Sequence, residues 1–455
     1  MSQSTSRLPA RRSSTKCKAQ MFSYYVNLAR QNLLASKTMT FALVIALALG
    51  VGASMTMLTV VRVLSWDPMP GRSAHLFHPY FDPLPRSYEV KPSLDPRNSV
   101  TWTDAKEIMR RLPAQYSAAM ATGHLLANAQ DGVESPFLVD GQYATPDIFP
   151  MFGIGLSQGR NWTNEEEQSR ADLVVISESF KRRLGQAGEV GRQLQLGPRV
   201  FKIIGIARDW APMPRFHTDL QKDTFKGQDD FYIPLHTAID SRLSVSSSMF
   251  SWGQGGDANK MESPSTAWLQ LWVYLEDHAE QGRYAEQLQS YVDQQADTGR
   301  FERRSPVRLE GLEDYLIRRQ VVPDDVKLQL ALAIGFLTVC MVNICALLFS
   351  RFIKRTHEVA VRRALGARRV DILAQLCTES LLIGVFGGLG ALIVCQVGLS
   401  MIRGQPEDYA ALAHMDVTMG AGTLAFACLS SLAAAALPAF RTASGRVAIQ
   451  IKVAE

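Results

Sequence analysis

Few residues of this 455-residue chain have the types and spacing of a catalytic or metal centre. His75 and His78 stand three residues apart, as metal ligands often do, but we identify no acidic or cysteine partner for them. No two cysteines have the CxxC spacing of a structural zinc site. We therefore expect surface or packing histidines and no metal site.

The most informative charges lie between residues 351 and 371. This short segment carries seven basic residues against Glu358 and Asp371. The basic residues are Arg351, Lys354, Arg355, Arg362, Arg363, Arg368 and Arg369. Thr356 is a candidate N-cap, Glu358 precedes Arg362 by one helical turn, and Gly366 can end a helix. The pattern predicts a short basic helix from Thr356 to Gly366.

Apolar runs flank this segment and recur along the chain. The composition, 47% apolar and 20% charged with a net charge of +5, would suit soluble domains, but the apolar residues are segregated. Uncharged runs occupy residues 41–61, 328–350, 380–402 and 417–440. At about 1.5 Å per residue, each run spans a hydrocarbon core of roughly 30 Å. The sequence predicts an α-helical membrane protein with four transmembrane helices, and a large α+β domain of two lobes between helices one and two.

The basic residues also predict an orientation. Residues 1–37 contain Arg and Lys but no acidic residue, the loop 403–416 is weakly acidic, and the tail after residue 440 is basic again. Short positive segments stay on the cytoplasmic side, so both termini and the 351–371 segment are expected there, with the large domain outside. The first apolar run is expected to remain as an anchor and not to be cleaved as a signal peptide.

These patterns divide the chain into nine segments. We expect the membrane helices at 40–64, 328–350, 377–402 and 417–440. The cytoplasmic parts are 1–39 with an amphipathic helix, the loop 351–376 and the tail 441–455, and the external parts are 65–327 and the loop 403–416. Residues 21–37 could equally form a helix along the inner membrane surface or extend the first membrane helix.

The large domain contains no cysteine, because all six lie in the cytoplasmic and membrane segments. It must therefore fold without disulfides. Apolar periodicity predicts helices at 101–112, 177–184 and 277–297, and strands at 173–176, 201–206, 268–275 and 307–309. Residues 210–264, rich in Pro, Gly, Ser and Asp, read as a long loop.

Small residues in the membrane runs predict close helix packing. The third run contains Gly384, Gly387, Gly388 and Gly390, and two of these have the GxxxG spacing. Packing within one subunit and packing between two subunits are both open. Glu379, near the inner end of this helix, is expected to pair with Arg355 or Arg369, because a carboxylate at membrane depth needs a partner. The absence of a run of ionisable residues argues against a proton- or sodium-driven carrier.

Two sets of motifs resemble known families. The sequences VDGQYATPDIFPMFGI at 139–154, VVISESFKRRLG at 174–185 and FKIIGIA at 201–207 resemble the periplasmic core of MacB-type permeases. The sequence EVAVRRALGA at 358–367, ESLL at 379–382 and PAFR at 438–441 resemble the permease domain of FtsX-type proteins. Together these motifs cover most of the chain in the family's order.

The resemblance implies a non-enzymatic permease subunit of an ABC system in the bacterial inner membrane. It would relay ATP hydrolysis to periplasmic movement, called mechanotransmission, and so drive export of a peptide, antibiotic or lipid-linked substrate. The coupling residues would be Thr356, Glu358, Val361, Arg362, Arg363, Leu365 and Gly366. The resemblance further implies a permease dimer in contact with membrane lipids, an optional periplasmic adaptor and outer-membrane channel, and no nucleic-acid partner.

One departure from the MacB pattern concerns the ATPase, which is fused in that type. This sequence contains no Gly-Lys dipeptide and thus no GxxxxGK[ST] phosphate loop. ATP and Mg²⁺ are therefore expected on a separate ATPase subunit, and this chain is expected to bind no cofactor and to contain no catalytic residue. The alternative function is that of an FtsX-like signalling subunit that activates a periplasmic enzyme, although such regulators have smaller external domains. A passive membrane anchor is disfavoured, because it needs only one helix.

Overall fold

The computed structural model describes residues 25–65, 67–90, 95–128, 136–220, 224–225, 227–252, 261–322, 324–404 and 414–444. The chain forms two compact units, one made of Met1–Val63 with Val322–Glu455 and the other of Leu64–Val321. We call them the helical unit and the sheet unit.

The helical unit contains four long helices: α2 (Lys37–Leu64), α10 (Asp324–Ile353), α12 (Arg369–Arg403) and α13 (Val417–Ser444). Within the described residues these four are long and apolar enough to cross a membrane. Two shorter helices accompany them, α1 at residues 25–35 and α11 (Thr356–Ala364). A turn at Ser36 separates α1 from α2, and residues 21–24 of the predicted 21–37 segment lie outside the described residues.

An apolar core joins these helices. Leu47 of α2, Ile344 of α10, Ile383 of α12 and Ala435 of α13 are all buried in one cluster. Small residues allow α12 and α13 to approach closely, because a side chain of one helix fits against the backbone of the other. Polar hydroxyls in these helices bond to backbone carbonyls, as Ser431 does to Ser380 at 2.6 Å.

The sheet unit is built on twelve strands within the described residues. They are β1 (Leu76–Tyr80), β2 (Val100–Thr101), β3 (Tyr116–Asn128), β4 (Phe137–Ala144), β5 (Leu156–Gly159), β6 (Leu173–Ser177), β7 (Gln193–Leu196), β8 (Arg199–Ala207), β9 (Phe231–Pro234), β10 (Phe250–Ser251), β11 (Thr266–Tyr274) and β12 (Arg308–Gly311). The main path runs β12-β1-β11-β3-β4-β9-β6-β8-β5. The pairs β4–β9 and β6–β8 are parallel, and the other neighbours on this path are antiparallel.

Helices pack around this sheet: α3 (Trp102–Arg111), α4 (Ile148–Phe152), α5 (Asn164–Gln168), α6 (Glu178–Leu184), α7 (Leu235–Asp240), α8 (His278–Asp297) and α9 (Leu312–Arg318). Alternate residues of β3 belong to two different apolar clusters, Ala119 and Ala121 to one and Ala118 and Met120 to the other. Successive strand residues point to opposite faces, so the sheet carries a core on each side.

Several elements match the sequence-based predictions. The helix predicted at 101–112 is α3, and Thr101 caps it by accepting a hydrogen bond from the backbone N–H of Asp104 at 3.0 Å. The predicted helix at 177–184 is α6, capped by Ser177, and that at 277–297 is α8, capped by Asp277. Local periodicity and capping residues were sufficient for these elements.

Two expectations need correction. Residues 210–264 are not a plain loop, because they supply β9, which lies between β4 and β6 in the sheet. A buried ion pair of Arg215 with Asp229 at 2.5 Å, joined by His217 at 3.0 Å, fixes the residues before that strand. The expected division into two lobes is also not seen in the strand pairing, since all main strands form one continuous path.

Candidate functional site

The basic segment predicted as a helix forms α11, with a defined start and end. Thr356 is its first residue and not its N-cap, because the Thr356 hydroxyl donates to the carbonyl of Ile353 at 2.6 Å. The N-cap prediction for Thr356 is therefore wrong. Gly366 has φ +100, a left-handed conformation that favours glycine, and the N–H of Ala367 bonds back to Arg362 at 3.1 Å. Glycine thus ends the helix as expected.

Side-chain contacts fix α11 against the next long helix. Glu358 accepts a hydrogen bond from Arg362 at 2.6 Å, the pairing that the four-residue spacing predicts. The same guanidinium donates to Gln375 of α12 at 2.9 Å. Asp371 accepts from the backbone N–H of Arg368 at 3.0 Å and so stabilises the start of α12. The segment is therefore a short helix and a turn, held against the start of α12 by side-chain hydrogen bonds, and not a loose loop.

The two faces of α11 differ. Val359 and Ala360 are buried, and Val359 belongs to the apolar cluster of the helical unit. In contrast, Val361 and Ala364 of α11, Leu365 directly after it and Val370 at the start of α12 are exposed, Leu365 to 83% and Val370 to 71%. We call these four residues the exposed face. Apolar residues that stand out from a fixed helix, among basic neighbours, form a surface suited to a protein partner.

A buried ion cluster lies behind the segment. Glu379 of α12, with 0% of its side chain exposed, contacts Arg351 at 2.7 Å and Arg355 at 3.3 Å. Both arginines also donate to the backbone carbonyl of Asn32 in α1, at 2.8 and 3.3 Å. Arg351 donates to the Thr40 hydroxyl of α2 at 3.1 Å as well. The cluster thus ties α1, α2, α10 and α12 together.

The sequence predicted this cluster only in part. The expected pairing of Glu379 with Arg355 is confirmed, whereas Arg369 is exposed at the start of α12. Arg351, the most buried partner, was missed. Its position at the very end of an apolar run was the available signal, because a cation there needs an internal partner unless it reaches the interface.

The four glycines of α12 make close contacts inside the helical unit. A methyl group on Gly384 would lie 2.8 Å from Cα of Cys428 in α13, and one on Gly388 would lie 2.7 Å from Leu424. A methyl group on Gly387 or Gly390 would meet Leu47 or Ala48 of α2, at 2.6 and 2.8 Å. These close approaches lie within a single chain.

The two histidines with metal-like spacing do not converge. His78 is buried between the rings of Trp272 and Tyr315, whereas His75 stacks on Tyr274. Burial, with the nearby charges of Arg318 and Arg319, lowers the pKa of His78 to about 3, so the ring is neutral. Among the described residues no cluster of three or more His, Cys, Asp or Glu could hold a metal ion.

Comparison with known families gives two matches. Residues 40–291 match the MacB-like periplasmic core domain, and residues 330–445 match the FtsX-like permease C-terminal domain. The first match covers more than half of the chain, and the second contains the whole 351–371 segment and Glu379.

Individual relatives have low sequence identity to this chain. Macrolide export ATP-binding/permease proteins MacB are 22% identical over 280 residues in Sodalis glossinidius and 24% identical over 320 residues in Nitrosomonas europaea. MacB 1/2 of Paracoccus denitrificans is 26% identical over 306 residues. These alignments cover 57%, 70% and 65% of this chain but only 35%, 43% and 39% of those proteins. The chain thus aligns with about two fifths of each relative.

Solved structures give a weaker likeness. The periplasmic region of MacB from Actinobacillus actinomycetemcomitans covers 55% of this chain and 94% of its own, with 14% identity and a TM-score of 0.35. The extracellular domain of the ABC-type transporter YknZ from Gram-positive bacteria covers 52% of this chain and 99% of its own, with 11% identity and a TM-score of 0.34.

Proposed function

The chain belongs to the family with the MacB-like periplasmic core domain and an FtsX-like permease C-terminal region, and on that premise we propose that it couples ATP hydrolysis in the cytoplasm to movement of an external domain. Membership makes it a permease component of an ABC-type transport system. The proposed mechanism is mechanotransmission, in which the cargo does not pass through the helical unit. Export of a peptide, antibiotic or lipid-linked substrate is the proposed outcome.

The proposed topology has four crossings, with both termini and α11 on the cytoplasmic side of the inner membrane. The sheet unit would then lie in the periplasm. The charge distribution supports this arrangement, since the basic segment 351–371 stands between two apolar helices and short basic loops resist translocation. We propose the segment boundaries from the sequence on the same grounds.

The single observation that carries the proposal is the asymmetry of α11. Its inner side is fixed by Val359, Ala360 and the Arg362–Gln375 hydrogen bond, while Leu365 projects outward. A helix that transmits force must be fixed to its own protein on one side and accessible to the partner protein on the other. We propose that the exposed face inserts into a groove of the ATPase, with Thr356, Glu358, Arg362, Arg363 and Gly366 holding its shape.

The proposed assembly has further partners. We propose that ATP and Mg²⁺ are bound by an ATPase on a separate chain; the relatives to which this chain is similar are ATP-binding/permease proteins. We also propose that two permease chains form one transporter, with an adaptor and outer-membrane channel as further components. The chain itself is proposed to bind no cofactor and to catalyse no reaction.

Copurification tests the docking proposal. The tagged full-length protein is purified from native membranes, and any ABC ATPase that accompanies it is identified by mass spectrometry and assayed for ATP hydrolysis. Leu365→Asp should remove the ATPase, because a charge would replace the most exposed apolar group of the exposed face. The matched control is Leu138→Asp, which places the same charge at an exposed leucine of the sheet unit. Retention of the ATPase by Leu365→Asp would refute this docking site.

The FtsX-like signalling function is not favoured. The external unit, Leu64–Val321, is large, and most of it lies within the match to the MacB-like core. No described feature of this unit points to an enzyme partner.

A further inference from the structure

The helical unit contains an apolar cavity beside α1 whose function is not explained by ATPase docking. Its volume is about 540 Å³, within the range of small-molecule sites. The lining comes from α1, α2 and α12, and it includes Leu34, Phe41 and Phe386. Each of these three side chains is more than half exposed. The cavity therefore opens outward along an apolar wall, where an apolar chain could enter.

Two basic residues line the same cavity. Arg30 of α1 and Lys37 at the start of α2 are both exposed, and neither has an ion pair with an acidic residue in the described part of the chain. The remaining lining residues are apolar apart from Thr40. The site thus combines an apolar wall with an uncompensated positive charge, and this combination selects an amphiphile with an anionic headgroup.

The cavity lies at the same end of the helical unit as the coupling segment. Thr40 lines the cavity, and its hydroxyl accepts a hydrogen bond from Arg351 and donates one to the carbonyl of Leu33. Arg351 in turn contacts Glu379. The basic residues of the cavity therefore stand near the end of α10 from which α11 follows, where the headgroups of the inner leaflet would be expected.

We propose that this cavity binds an anionic phospholipid. The headgroup phosphate pairs with Arg30 and Lys37, and one acyl chain lies against Phe41, Leu34 and Phe386. Bound there, the lipid fixes α1 against α2 and α12, and thereby supports the hydrogen bonds from Arg351 and Arg355 to Asn32. The site goes beyond the proposed transport function and requires no ATPase.

Native mass spectrometry of the full-length protein in a mild detergent tests this site. The protein is titrated with phosphatidylglycerol and, separately, with phosphatidylcholine of the same acyl chains. We expect one saturable phosphatidylglycerol adduct and much weaker phosphatidylcholine binding. The double variant Arg30→Gln/Lys37→Gln should bind phosphatidylglycerol roughly 30-fold more weakly, about fivefold for each charge removed. Equal binding of the two lipids by the unchanged protein would overturn the proposal.

The matched control is Arg368→Gln/Arg369→Gln. It removes two exposed basic residues near α11 that do not line the cavity, and it should keep the lipid preference. An equal loss in both double variants would mean diffuse attraction to basic residues and would also overturn the proposal. Circular dichroism confirms that each variant is folded.

A third variant tests the apolar wall with both cations in place. Phe386→Ala should weaken phosphatidylglycerol binding severalfold, because less acyl chain is covered. The other candidate occupant of the wall is a second copy of this chain. A dimer mass that disappears in Phe386→Ala, with no lipid adduct in the unchanged protein, would assign the cavity to that interface and contradict lipid binding.

Discussion

At the scale of single residues, the buried ion cluster of Glu379, Arg351 and Arg355 connects four helices of the helical unit. Glu379 has no exposed surface, and Arg351 has 3% of its side chain exposed. Both charges are buried, so each depends on the other, and Arg351 also donates a hydrogen bond to the carbonyl of Asn32. Removing one partner leaves the other charged and buried, which costs far more than the pair contributes by itself.

Glu379→Gln should therefore destabilise the helical unit by about 3–5 kcal/mol. Thermal unfolding of the full-length protein in detergent measures the effect as a lower midpoint. The control is Glu358→Gln, which breaks a pair with a carboxylate that is 45% exposed and should cost less than about 1 kcal/mol. Equal midpoints for the two variants would contradict the role assigned to the cluster.

Because of His78, the stability of the sheet unit should depend on pH. Its folded-state pKa is about 3, against 6.5 for the ordinary side chain. As the pH falls below 6.5, the unfolded chain takes up a proton that the folded protein does not bind. The free energy of unfolding should thus fall by about 1.4 kcal/mol for each pH unit between 6.5 and about 3, with no contribution from this residue above 6.5.

Denaturant unfolding of the sheet unit at pH 7 and 4.5 tests this effect in the original protein and in His78→Phe. Phenylalanine keeps an aromatic ring between Trp272 and Tyr315 but cannot be protonated. The variant should lose less stability on acidification, by roughly 2–3 kcal/mol. The same pH dependence in both proteins would exclude His78 as its source.

At the scale of elements, α12 is the centre of the helical unit. Its glycines face both α2 and α13, and the backbone of α13 approaches Gly384 closely. Helices without large side chains at such positions can pack at short distances, where dispersion contacts are most numerous. The spacing of α12 from its neighbours thus depends on residues that contribute no side chain.

Gly384→Ala should destabilise the full-length protein by about 1–3 kcal/mol, because its methyl group would meet the backbone of Cys428. Gly422→Ala in α13 is the control. Nothing lies within 4 Å of the added methyl group there, so the higher helix propensity of alanine should keep or raise stability. Thermal unfolding midpoints in detergent compare the two, and a stabilised Gly384→Ala would contradict the packing described.

Elements with local signals could be predicted from the sequence, whereas strands defined by distant partners could not. The caps of α3 and α6 lie in the same few residues as the helices they begin. In contrast, β9 is only four residues long and owes its place to β4 and β6, which come far earlier in the chain. The pairing that makes it a strand is not visible in its own residues.

At the scale of the whole molecule, the two units divide the chemistry of the chain. All six cysteines lie outside Leu64–Val321, and that unit has its own apolar cores on both faces of the sheet. The helical unit holds the ion cluster, the exposed face and the lipid cavity. The sequence predicted this division and the basic helix. It did not predict Arg351 as the most buried partner of Glu379, because that contact depends on how α1, α2, α10 and α12 pack together.

Residues 66–320 expressed alone should form a soluble folded protein. They contain the apolar cores of the sheet unit and no cysteine, so reductant should not change their stability. A single cooperative transition in urea, identical with and without reductant, is the expected result. A requirement for an oxidant or a metal ion would contradict this expectation.

The pairing of β1 with β12 has a mechanical consequence. β1 follows α2 in the chain and β12 precedes α9 and α10, and the two strands are antiparallel, with Phe77 opposite Gly311. Their ends that continue toward the long helices are therefore hydrogen-bonded to each other. Tension that separates these ends would open the pairs one after another, like a zipper, whereas a pull on both in the same direction leaves every pair intact. The β1–β12 pairing therefore withstands a force that moves both ends in the same direction, and it opens when the two ends are pulled apart.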